Sequence, residues 1–119
     1  MSDKTIADFL AGKPAHTVEL YQHFIAVFQT VGVIEVSAAK TMIGISNAHK
    51  RIAWVTQFGK NFIHVVFPFT NPHPDNLCFT KIAQVPGTQQ FNHHFRMLYT
   101  IDVNEEVMNY MKLAYEEAG

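Results

Sequence analysis

The sequence predicts an α+β domain in which an antiparallel sheet of about six strands carries N-terminal and C-terminal helices on one face. Three observations predict it. Helical periodicity is confined to the two ends of the chain, the middle is a close succession of β-rich or alternating segments, and the connections between those segments are short turn signals with no linker or repeat. The clearest middle stretch is Arg51 to Phe69, RIAWVTQFGKNFIHVVFPF, read as strands at about 51–58 and 61–69. Gly59-Lys60 is placed between them as a type II′ turn, where glycine supplies a positive φ.

At the N-terminal end, Thr5 and Asp8 fit a capping box and predict a short helix to about Leu10, stopped by Gly12. Pro14 suits the first turn of a second helix from about Ala15 to Val31. Its apolar half comprises Val18, Leu20, Tyr21, Phe24, Ile25, Val27, Phe28 and Val31, with Gly32 as the terminating residue. Strands follow at Val33–Ala38 and Lys40–Ser46, then a loop, SNAHK, before the central hairpin. TNPHPDN, 70–76, holds two prolines and reads as a loop. A fifth strand is expected at about Leu77–Val85, ending at a type II turn on Pro86-Gly87. The sixth, Phe91 to Tyr99, sets Phe91, His93, Phe95, Met97 and Tyr99 on the core face, and Asn92, His94, Arg96 and Leu98 opposite. A last helix begins at about Val103, capped by Asp102 with Glu105 at its third position.

Composition is that of a packed domain spanning 1–119, with 48% hydrophobic and 16% charged residues. No apolar run nears the roughly 18 residues of a membrane span. The opening MSDKTIADFL lacks a signal-peptide pattern, and a single cysteine, Cys78, forbids an internal disulfide. A cytoplasmic protein without a membrane partner is the expectation. Net charge is −1, yet residues 37–101 carry +5 and the two ends −6, so the strand region is basic.

The segments KTMIGI, RIAWV, the His pair in FNHHFRM, the ending DVNEEVMNYMKLAYEEAG and the opening TIADFLAGKPAHTVELYQHF together resemble a bacterial family of uncharacterised domains, domain of unknown function 5655. The resemblance runs over nearly the whole chain and rests on the order and spacing of these segments. It implies a compact α+β domain, found alone or attached to other modules, with no established activity. Lys40, His94, Asp102 and Tyr115 stand where the family pattern often shows the same residue types.

Seven histidines are the compositional oddity. His93 and His94 are adjacent on a strand, point to opposite faces and so do not share one metal ion. His64, His94 and Cys78 converge only if their strands are neighbours in matching register. HExxH, CxxC, GxSxG, P-loop and GxGxxG patterns are all absent, so neither a catalytic residue nor a metal or other cofactor is assigned. The leading site is the polar sheet face, where Lys40, His94 and Arg96 would form a donor-rich patch for a small anionic ligand. The competing reading makes Lys40 and Arg96 solvated charges that protect the sheet surface.

Two further classes stay open. Phe58, Phe62, Phe67, Phe79, Phe91 and Phe95 interleaved with basic residues suit a single-strand nucleic-acid platform, although packing under the helices is the commoner use of such rings. Tyr21, Trp54, Phe69 and Leu113 are candidates for exposed contacts in a homodimer.

Overall fold

The computed structural model describes residues 5–117; residues 1–4, where the MSDK start lies, and 118–119 fall outside it. Helices α1 (Ile6–Leu10) and α2 (Ala15–Val31) precede strands β1 (Glu35–Ala38), β2 (Ile43–Ser46), β3 (Arg51–Phe58), β4 (Ile63–Phe69), β5 (Phe79–Gln84) and β6 (Phe91–Met97). A 3₁₀ turn over Thr100–Asp102 leads into α3 (Glu105–Glu117). The strands form one antiparallel sheet in the order β1-β2-β3-β4-β6-β5. The first four strands are a meander, and β6 then folds back between β4 and β5.

Period-two alternation assigns each strand an inner and an outer row. Ile43, Ile45, Val55, Ile63, Val65, Phe67, Phe95 and Met97 point inward and are buried. Above them lie Leu20, Phe24 and Phe28 of α2, and Val107, Met111 and Ala114 of α3. All three helices therefore cover the same face, as the pattern predicts. Thr17, buried on α2, donates its hydroxyl to Gly59 O at 2.7 Å, which ties that helix to the β3–β4 turn.

Several local expectations hold. The Thr5/Asp8 capping box forms in both directions, at 3.0 and 3.2 Å. Gly12 takes φ 79° after α1, and Gly87 takes φ 76° in the turn after Pro86, closed by Thr88 N–H to Val85 O at 3.1 Å.

Others are corrected. Gly59 has no positive φ; its N–H bonds Phe62 O at 2.8 Å, so Lys60 and Asn61 are the loop residues and the turn is not type II′. At 59 the Phe62 ring stands where a side chain would, so a larger residue there would have to displace that ring. Gly32 ends α2 in an extended conformation and gives room to the Tyr115 ring. The last strand stops at Met97 because the Asp102 carboxylate accepts from Leu98 N–H (2.8 Å) and Tyr99 N–H (3.0 Å), drawing the chain into the 3₁₀ turn. Tyr99 is accordingly 63% exposed and not part of the core. Asn104, rather than Asp102, caps α3, accepting from Val107 N–H at 3.0 Å.

Candidate functional site

The uncovered face of the sheet is organised by its register. Ser37 pairs with Gly44, Gly44 with Trp54, Trp54 with Val66, Val66 with His94, and His94 with Lys81, so one row of outward positions crosses all six strands. The next row holds His64 paired with Arg96. Over the middle of the first row, reaching His64 on one side and Asn92 on the other, lies a groove of about 620 Å³, within the ordinary size range of small-molecule sites. Trp54, Met42 and Val66 give it an apolar end and floor, and Thr56, Gln90 and Asn92 line it with a hydroxyl and two amides. Gln90 Nε2 donates to Asn92 Oδ1 at 2.9 Å, fixing the orientation of the Asn92 amide.

His64 and His94 meet in this groove, Nε2 of one 2.8 Å from Nδ1 of the other. In the neutral pair one of these nitrogens donates and the other accepts. Whichever tautomer forms, the two outer nitrogens, Nδ1 of His64 and Nε2 of His94, are left as one donor and one acceptor. Partial burial lowers both pKa values; for His64 the charges of His94 and Arg96 add to the shift, and for His94 that of Lys81 does. The pair is thus held neutral near pH 7 by desolvation and by cations on two strands.

The residues singled out from the sequence are placed unequally. His94 lines the groove, and Arg96 stands two positions along the same strand, with its guanidinium carbon 4.6 Å from the centre of the Phe62 ring. That contact leaves the guanidinium N–H edges available to an acid. Lys40 is exposed in the β1–β2 turn; β3 and β4 separate its hairpin from β6, and only Met42, two residues on, reaches the groove. The fold thus brings together His94 and Arg96, and leaves Lys40 apart. Of the residues the pattern frequently shows, Asp102 shapes the 3₁₀ turn and Tyr115 packs over Gly32. Alternation alone puts Asn92 on the face of His94 and Arg96, but it does not bring His64 and Trp54 to the same groove. Their positions alternate correctly, but which strands are neighbours cannot be read from one strand's own pattern.

Cys78 does not join the histidine pair. It packs at the edge of the core beside Glu106, and burial followed by that carboxylate pushes its thiol up to about 12, so it is protonated at neutral pH. Among the described residues no three of His, Cys, Asp and Glu are grouped to hold an ion. Phe67 and Phe95 are buried, while Phe58 and Phe79 pack on the core, so these rings do not form an exposed stacking row. Tyr21 and Phe69 are also buried, which removes two of the four dimer candidates, and Leu113 is partly buried against the core. Among the described residues no helix is long and apolar enough to cross a membrane.

Fold and groove together define a small α+β module with one face packed under helices and the other carrying a polar-ended cleft. The chain belongs to the family described as Domain of unknown function (DUF5655), whose model matches residues 6–118, essentially its whole length. No curated protein and no solved structure matches it.

Proposed function

We propose that this domain binds a small anionic ligand in the groove of the open sheet face, with the His64–His94 pair as its polar end. The observation that carries the reading is that pair: two imidazoles bonded to each other inside a cleft, with both outer nitrogens unfilled by any of the described residues. A carboxylate or phosphate accepts the one outer N–H that the neutral pair offers, and its negative charge favours the imidazolium over the neutral ring. Binding an anion therefore draws one proton onto the pair, and the resulting imidazolium is compensated by the ligand. Lys81 on β5 and Arg96 on β6 are the charged side chains that bear on the imidazoles, and both favour an anion.

A thermal-shift screen of organic acids and phosphate esters tests this. A ligand held at 100 times its dissociation constant adds about 2.7 kcal/mol, roughly a 10 °C rise for a domain of this size. The response should strengthen as pH falls from 8 towards 6 and vanish when His94 and Arg96 are both replaced by alanine. An unchanged affinity in that double variant would sink the site.

A further inference from the structure

We infer that the anion this groove takes is carried on a planar aromatic ring, seated against Trp54 with its acid group on the His64–His94 pair. The inference rests on the ligand-binding reading above and names its ligand class. Its basis is the polarity of the cross-sheet row. Trp54 and His94 are separated by one strand, at Val66, so their backbones stand about 10 Å apart at the usual strand spacing. That interval accommodates one ring and one acid group side by side.

What lines the interval differs sharply from end to end. Val66, only 5% exposed, forms a low apolar floor, and the Trp54 ring and Met42 border it on the side away from the histidines. A thioether and an indole favour aromatic surface, through sulfur–ring and ring–ring contacts. Beyond Trp54 the row continues through Gly44 to Ser37 on β1, and over Gly44 the Arg51 guanidinium occupies the space a side chain would take, held by its Nε–H to Ser46 Oγ at 3.0 Å. The Trp54 end of the row is therefore bordered by the Arg51 guanidinium, whose Nε–H is taken up by Ser46. At the other end stand the two imidazoles, then Lys81. A ring-borne monoanion matches this sequence of surfaces; an extended polyanion would place charge over Val66 and Met42.

Trp54 is the sole tryptophan, so its indole N–H gives a single, site-specific NMR signal. The test titrates the full chain at pH 6.5 with benzoate, cyclohexanecarboxylate and benzamide, following that signal. Benzoate should shift it saturably; cyclohexanecarboxylate should bind about tenfold more weakly, the upper range of what ring–ring geometry adds, and benzamide, which keeps the ring and lacks the charge, should also bind more weakly than benzoate. Trp54→Phe should keep the benzoate preference over cyclohexanecarboxylate, and Trp54→Leu should reduce it below twofold, both followed by calorimetry. Equal binding of benzoate and cyclohexanecarboxylate in the wild-type chain would overturn the aromatic assignment and leave the anion site standing. Failure of every carboxylate to bind would overturn both.

Discussion

On the covered face of β6, His93 is fully buried and uses both ring nitrogens, whereas His94, one residue along on the open face, bonds the described residues through one ring nitrogen only. His93 Nε2 accepts from His73 N–H at 3.1 Å, and its Nδ1 therefore donates to Phe91 O at 2.8 Å. Phe69 and Phe79 surround the ring edge-on, with centroids 4.9 and 5.0 Å away. This histidine locks the 70–78 loop against the end of the sheet. The same loop is also pinned from α3, where Glu117 accepts from Thr70 and Glu106 from Leu77 N–H. Two identical side chains thus divide into a satisfied structural group and a group with capacity to spare, and the difference is set by which side of the pleat each occupies.

The largest expected effect separates them directly. His93→Ala removes a buried ring and leaves His73 N–H and Phe91 O without their partner, so it should cost about 3 kcal/mol or more. His94→Ala opens onto water and should cost less than about 1 kcal/mol. Urea unfolding of the two variants measures both. Similar losses would mean that the open face contributes to stability as the core does, and the division would fail.

Acid should sharpen the same contrast. Burial lowers the pKa of His64, His93 and His94 in the folded chain, while in the unfolded chain each titrates near 6.5. Below 6.5 the unfolded state binds more protons, so stability is full above that pH and declines as pH falls towards the folded values, by up to about 1.4 kcal/mol per unit for each histidine. Replacing His64 and His94 together with glutamine should remove their part of the decline and leave that of His93. A decline identical to the wild type would show that the open-face pair is not resisting protonation.

The legibility of the sequence follows the same divide. Periodicity located both long helices and every strand, because burial on one side imposes a pattern on each element separately. Caps were legible where two local residues satisfy each other, as Thr5 and Asp8 do, and misassigned where they did not: Asp102 was drawn to Leu98 and Tyr99, and Asn104 took its place. The 59–62 turn was misread because Gly59 answers to a ring three residues away instead of to its own φ. In the site, His94 and Arg96 were legible from one strand's alternation. His64, Trp54 and the distance of Lys40 required the order β3-β4-β6, which depends on a chain reversal through the 70–78 loop that no local pattern encodes.

The smallest effect concerns Arg96, and it sets stability against binding on the open face. Its guanidinium lies over Phe62, whose ring in turn covers Gly59, so the charge is held by a stack that begins in the β3–β4 turn. At an exposed position such a cation–π contact contributes about 0.5 kcal/mol. Arg96→Met keeps an apolar stem over the ring and removes the charge, so unfolding should change by no more than about that amount. The same substitution takes away one of the two cations that oppose protonation of the histidine pair, and His64 should then titrate at higher pH, visible in its ring proton NMR shifts. A stability loss of several kcal/mol would place Arg96 with His93 as a structural group. An unmoved His64 titration would separate Arg96 from the pair, leaving Lys81 as the cation that acts on the groove.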